Sequence, residues 1–160
     1  MKSLLLVLVT TALMAQQRNL EGKRDSPVRV VIYEDLQCSD CANFRIMLDL
    51  HLMPKYAAKV AFEHRDLPLP KHKWARRAAI AARYFDGVRP ELGLRFRQET
   101  MARMKSIPPE KFDEYVAEFA KANGTDGAKA VAALNDASLI ALVEEETPSG
   151  AVMRSPFFFT

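Results

Sequence analysis

The sequence predicts an α/β fold, a single domain in which a strand, a helix and a parallel strand are followed by a long helical block and a last strand. Three observations predict it. Residues 28–33 read Val-Arg-Val-Val-Ile-Tyr, a β-branched run suited to a buried strand. A segment with apolar residues at helical spacing follows, and then a second short apolar run at 60–65. From about residue 71 to about 147 only helical patterns occur. At 160 residues the chain has room for one domain, since two would need roughly 200 or more. Hydrophobic residues at 49% and charged residues at 27% exclude a disordered or collagen-like chain. Lys and Arg number 23 against 20 Asp and Glu, a net charge of +3 spread along the chain rather than gathered in a stripe, so no nucleic-acid partner is expected.

Residues 1–15 read as a secretory signal: Lys2 supplies the positive start, Leu4 onward is apolar, and Ala15 precedes a cleavage point. The run is too short to span a bilayer, which takes about 20 apolar residues. Leu13 stands where a small residue is preferred, which leaves a buried N-terminal helix or an uncleaved anchor as alternatives. Residues 16–27 are polar and form a lead-in arm, and the domain proper is expected over 28–160. After the first strand comes a short turn at 34–37, then a helix to about Lys59 with Phe44, Met47, Leu48, Leu52 and Tyr56 on one face. Ile46, Leu50 and Met53 widen that face, so the helix is expected to be largely buried, with a kink at Pro54. The second strand ends at the breaker Leu67-Pro68-Leu69-Pro70.

The helical block starts with an alanine-rich segment at 74–85, closed by Gly87, and continues with segments at 92–104, 109–122, 126–134 and 137–146. It is an inserted subdomain, about 71–147, rather than a second domain. Met101, Met104, Phe112 and Phe119 recur at helical spacing and read as core rather than a cofactor pocket. A final strand is entered through Ser155-Pro156.

The two cysteines, Cys38 and Cys41, sit where the first strand gives way to its helix. Ser39 and Asp40 between them suit a helix N-terminus, by capping or by complementing the dipole. Unpaired backbone N–H groups of the opening turn stabilise a thiolate there, so Cys38 is the candidate nucleophile. Cys41, one turn in, is the candidate resolving thiol. A static disulfide is the alternative, although so short a loop gains little closure entropy. A zinc half-site completed by His51, His64 or His72 fits no common spacing.

With these residues in place, the sequence resembles the DsbA-like thioredoxin-fold oxidoreductases of the bacterial cell envelope. The match rests on Val-Ile-Tyr-Glu-Asp-Leu-Gln-Cys38-Ser-Asp-Cys41 and on Arg65-Asp66-Leu67-Pro68-Leu69. His72-x-x-Ala75-x-x-Ala78-Ala79-x-Ala81-Ala82 and Ser155-Pro156 complete it. The resemblance implies a thioredoxin-like fold with an inserted helical subdomain and a thiol:disulfide oxidoreductase acting on protein or peptide thiols outside the cytoplasm. It implies no cofactor beyond the Cys38–Cys41 redox pair, and a membrane-bound redox partner. Ser155 and Pro156 stand where the family has its cis-proline loop, which would pair with an extended client segment; a trans-proline at a strand start is the alternative. A reductase or isomerase, or a non-catalytic chaperone-like peptide holder, are the alternative functions.

Strongly oxidising relatives carry Pro-His between the cysteines, whereas this chain has Ser39-Asp40, whose carboxylate opposes a thiolate at Cys38. Relatives place a buried acid six residues before the first cysteine, where this chain has Ile32. Glu34 and Asp35 are therefore either proton-transfer groups for Cys41 or turn and capping residues. His72 and Trp74 read as packing or capping residues, with a catalytic role the alternative. The resemblance also leads to the expectation of an antiparallel strand and a final helix after the proline strand. Because the sequence stops at Phe157-Phe158-Phe159-Thr160, the fold is expected to be truncated at its C-terminus.

Overall fold

The computed structural model describes residues 19–147. The signal sequence, the Ser155-Pro156 loop and the C-terminal strand read from the sequence lie outside the described residues. Among them, three strands form one mixed sheet in the order β1-β3-β2, with β1 at Asn19–Gly22, β2 at Arg29–Glu34 and β3 at Ala61–Asp66. β2 and β3 are parallel, paired from Arg29 with Ala61 to Glu34 with Asp66, as the strand–helix–strand pattern requires. β1 runs antiparallel to β3 and lies within the polar arm, where its sequence Asn-Leu-Glu-Gly carries too little apolar character to signal a strand. Gly22 ends it at φ +77°, a backbone that favours glycine, and a Cβ there would meet the Val60 carbonyl at 2.4 Å.

The connection from β2 to β3 is helix α1 at Ser39–Met47, a π-helical turn at Leu48–Leu52, and α2 at Met53–Tyr56. The kink expected at Pro54 takes this form because proline has no N–H for the carbonyl of Leu50, so the ladder widens just before it. Leu48 is buried against Ile32 and Phe62, with Val30, Phe44, Leu52 and Met53 around them. The expectation that this helix is largely buried is corrected: Ile46 is 57% and Leu50 64% exposed, because only one side of α1 meets the sheet and the helical block.

The insertion contains α3 at Ala75–Val88, α4 at Pro90–Arg103, α5 at Phe112–Ala122, α6 at Gly127–Ala132 and α7 at Ala137–Glu146. α3 is its axis. Ala75, Ala78, Ala79, Ala81 and Ala82 are all buried, and their small side chains let neighbouring helices approach closely. Phe85, Phe96 and Phe119 meet with centroids 4.9 Å apart, and Trp74 stacks on Phe112 at 5.0 Å, so the apolar residues of the block are core, as their spacing predicts. α6 and α7 are each capped by an aspartate, Asp126 and Asp136, whose side chains accept from backbone N–H groups of the first turn.

A buried ionic network joins sheet and block. Residues 30, 32 and 34 of β2 and 62, 64 and 66 of β3 alternate onto one face. That face runs from Val30 beside Phe62 to Glu34 beside Asp66. Two carboxylates thus stand side by side on neighbouring strands, and Arg97 of α4 spans them, donating to Glu34 at 3.1 Å and to Asp66 at 2.8 Å. Asp66 also accepts from Arg83 of α3 at 2.6 Å, and Arg83 pairs with Glu146 of α7. On the other side His64 lies between Glu34 at 3.1 Å and Glu21 of β1 at 2.8 Å, and Glu21 pairs with Arg45 of α1. Burial disfavours charge on Glu34, His64 and Glu21, but attraction dominates. Burial would raise Glu34, yet His64 and Arg97 hold it below its ordinary value. Burial would lower His64, yet Glu34 and Glu21 push it up to about 9. Glu21, which burial would raise, is held at about 2 by hydrogen bonds from His64 and Arg45.

Asp86 of α3 is the exception. It is buried against α4 at Gly93, where a Cβ would fall 1.6 Å from its carboxylate oxygen, and burial pushes it up to about 7 despite Arg97 and Arg83.

Two tests follow from the network. Arg97→Ala leaves Glu34 and Asp66 buried side by side without their bridge and is expected to cost about 3–5 kcal/mol in urea unfolding. His64 has a raised folded pKa, so its contribution is complete below 6.5 and lost as pH rises through about 9. Asp86 is a raised acid, so the fold loses stability as pH rises from 3.8 through about 7. Urea midpoints measured against pH should therefore fall from about 4.5, above the range in which ionisation of Glu21 and Glu34 stabilises the fold, to about 7, and fall again as pH rises through about 9. His64→Gln should flatten the upper window and Asp86→Asn the lower.

Candidate active site

The site forms where β2 ends and α1 begins. Cys38 is the N-cap of α1, extended at φ −91° and ψ 126°, and Ser39 and Asp40 occupy the exposed first turn. No side chain caps this helix, so its opening N–H groups remain available beside the Cys38 sulfur. Cys41 lies one turn in. Both thiols are free and half-buried, and the Cys41 thiol hydrogen-bonds to Cys38. The backbone N–H of Asp35 donates to the Cys41 sulfur at 3.4 Å. Burial, with Cys38 and the Glu34 carboxylate nearby, pushes the Cys41 thiol up to about 12, and the Asp35 N–H works against that rise. The pair is therefore asymmetric: Cys38 stands at the open helix end, while Cys41 lies one turn in and is held as a thiol.

The turn carrying Cys38 is anchored by Asp35, whose side chain is 2% exposed. One carboxylate oxygen accepts from the N–H of Gln37 at 2.7 Å, an Asx turn. The other accepts from the N–H of Leu69 and from His72 Nδ1, both at 2.7 Å. The Asp35 carbonyl accepts from the Cys38 N–H at 3.0 Å. Gln37 in turn accepts from the N–H of Trp74 at 2.9 Å, and the Leu67 N–H donates to the Glu34 carbonyl at 2.9 Å. The proline-rich segment after β3 is thus laced to the turn before the cysteines.

Of the two acids, Glu34 belongs to the buried network and Asp35 is a turn residue. Trp74 packs on Phe112, as a packing role predicts, while His72 is bonded to Asp35. Gln37 and the Leu69 backbone were not singled out by sequence reasoning. The available signal was an aspartate directly after a strand, which commonly bonds the N–H two residues on. His64 and His72 are engaged with carboxylates, and among the described residues no group of three or more His, Cys, Asp and Glu is placed to hold a metal ion. Beside Ser39 and Ala42 a cleft opens between α1 and α4, lined in part by Ile46, Met101 and Met104. No helix among the described residues is long and apolar enough to cross a membrane.

Comparison with solved structures places this geometry. The α-DsbA1 of Wolbachia pipientis superposes with a TM-score of 0.71 at 17% identity, over 90% of this chain and 72% of that one. Oxidised BdbD from Bacillus subtilis superposes with a TM-score of 0.68 at 18% identity, over 81% of this chain and 71% of that one. MdbA, a thiol-disulfide oxidoreductase from Corynebacterium diphtheriae, gives 0.64 at 19% identity, over 78% and 68%. No curated protein matches the sequence. A thioredoxin family model matches residues 15–153, which include both cysteines and the whole helical insertion. The chain therefore belongs to the thioredoxin family and has the fold of its DsbA-like members.

Proposed function

We propose that the protein is a thiol:disulfide oxidoreductase that exchanges disulfides with protein or peptide thiols outside the cytoplasm, through Cys38 and Cys41 and with no further cofactor. The observation that carries this reading is the asymmetry of the pair: Cys38 at an uncapped helix N-terminus, Cys41 one turn in with the Asp35 N–H on its sulfur and its thiol pushed up to about 12. A structural disulfide needs no such distinction, whereas exchange needs one sulfur to be attacked and the other to leave.

In the oxidising direction a client thiolate attacks Cys38 Sγ of the Cys38–Cys41 disulfide. The client sulfur bonds to Cys38, the Cys38–Cys41 bond breaks, and its electron pair leaves on Cys41 as a thiolate facing the Asp35 N–H. A second client thiolate then attacks the client sulfur of the mixed disulfide, and Cys38 leaves as a thiolate stabilised by the helix N-terminus. The client loses two electrons and forms its disulfide, the protein gains two, and the protons of the client thiols are balanced by those taken up at Cys38 and Cys41. A membrane-bound redox partner would restore the disulfide. Ser155 and Pro156 are assigned by the family resemblance to holding the client segment, and residues 1–15, by their charged start and apolar run, to export. Asp40 in the exposed first turn favours a second reading, a weaker oxidant that runs as a reductase or isomerase, because its carboxylate opposes a thiolate at Cys38.

Three experiments test this function. Incubated with a reduced client, Cys41→Ala should accumulate mixed disulfides through Cys38 on non-reducing gels, and Cys38→Ala should not; equal trapping by both sinks the assignment of nucleophile. Iodoacetamide on the reduced protein at neutral pH should modify Cys38 well before Cys41, as read by peptide mass mapping, because the Cys41 thiol is pushed up to about 12. Asp40→His should make the disulfide more oxidising in glutathione buffers, by about tenfold in the equilibrium constant if the swap is worth about one unit of thiolate stabilisation. An unchanged equilibrium would show that this carboxylate does not set the poise.

A further inference from the structure

We infer that Asp35 and His72 form a positioning pair that sets how well Cys41 serves as the leaving sulfur, and so sets the redox poise of the site. The inference rests on the proposed exchange chemistry and adds to it a residue more than thirty positions away in sequence.

Asp35 holds both ends of the cysteine motif through its own backbone. Its N–H is on the Cys41 sulfur at 3.4 Å, and its carbonyl accepts from the Cys38 N–H at 3.0 Å. The direction of that N–H is set by the orientation of the 34–37 turn, which the Asp35 carboxylate fixes through three donors, each at 2.7 Å. Two of the three are backbone N–H groups, of Gln37 and Leu69. The third, His72 Nδ1, is the side-chain donor, on a histidine with 19% of its side chain exposed. His72 follows the Leu67-Pro68-Leu69-Pro70 segment, and its own N–H bonds back to the Leu69 carbonyl at 3.0 Å, so imidazole and Leu69 N–H grip one carboxylate oxygen together. The rest of the segment is held in parallel by Leu67 on the Glu34 carbonyl and Trp74 on Gln37. Loss of His72 therefore loosens the grip on Asp35 without dismantling the loop.

The chemical consequence follows from the exchange step. When a client thiolate bonds to Cys38, the electron pair of the broken disulfide goes to Cys41, in a site where burial disfavours charge. The Asp35 N–H is the donor the structure places on that sulfur. A hydrogen bond to a charged acceptor is worth more than one to a neutral acceptor. A well-directed Asp35 N–H thus favours the reduced protein over its disulfide, and a slackened one favours the disulfide.

The test uses the full chain equilibrated in glutathione buffers, with the reduced fraction read by thiol trapping, for wild type, His72→Ala and His72→Asn. His72→Ala is expected to move the equilibrium about tenfold toward the protein disulfide, a potential lower by about 30 mV. His72→Asn keeps an N–H donor and is expected to stay within about twofold of wild type. A second measurement separates positioning from general loosening: in a Cys41→Ala background, the rate at which Cys38 is alkylated should be the same with and without His72→Ala. A wild-type equilibrium in His72→Ala overturns the inference and leaves the exchange function standing. So does a matching change in Cys38 alkylation when Cys41 is absent. A wild-type protein that does not equilibrate with glutathione at all overturns the exchange function and this inference with it.

Discussion

Arg97 standing across the paired carboxylates of Glu34 and Asp66 is the interaction on which the architecture turns. The parallel register of β2 and β3 puts two acids side by side at the end of the sheet, an arrangement that repels itself and that water does not relieve, since Glu34 and Asp66 are buried. A guanidinium solves the problem because its planar fork donates to two carboxylates at once. That guanidinium belongs to the helical insertion, so the sheet edge and the insertion are each incomplete alone. Arg83 with Glu146 extends the joint to α3 and α7, while His64, Glu21 and Arg45 extend it to β1 and α1. Hydrophobic packing makes the two cores, but the charged joint determines how they meet.

The cysteine motif sits next to this joint and borrows its rigidity. Glu34 ends β2 inside the network, Asp35 follows at the turn, and Cys38 starts the helix three residues later, so the strand end tied to Arg97 leads directly into the turn tied by Asp35. The segment after β3 closes over the same turn from the other strand, bonding Glu34, Asp35 and Gln37 in succession through Leu67, Leu69, His72 and Trp74. Both strand ends of the strand–helix–strand unit thus converge on the four residues before the helix. A redox pair benefits from such support, because a sulfur that must leave as an anion in a buried place depends on a donor held in one direction.

Much of this was legible in the chain. Residues 28–33 carried the strand in their β-branched run, and Cys38-Ser39-Asp40-Cys41 carried the helix start, because those residue types favour that place whatever surrounds them. Met101 and the aromatic positions of α5 announced a core through their spacing, and Met101, Phe112 and Phe119 are buried. β1 was not legible, since Asn19 to Gly22 has almost no apolar signal and becomes a strand only because β3 offers an unpaired edge. The burial of α1 was overestimated for a related reason. Ile46 and Leu50 are apolar, but neither is packed into a core: both stay more than half exposed, Ile46 at the edge of the cleft between α1 and α4.

The sequence by itself determined the local elements, the position of the cysteine pair at a strand-to-helix turn and the family. Each of these depends on residues within a few positions of one another, where spacing and intrinsic preference are enough. The tertiary structure alone decided what each charge does. Glu34 and Asp35 are adjacent acids, and the local rule that marks Asp35 for an Asx turn does not say which distant donors the fold brings to either. In the fold one faces Arg97 and His64 and becomes part of a buried network, while the other turns to Gln37, Leu69 and His72 and holds the site. The reason is physical: a carboxylate's role is set by the donors around it in space. Arg97 and His72 reach these two from 63 and 37 positions along the chain.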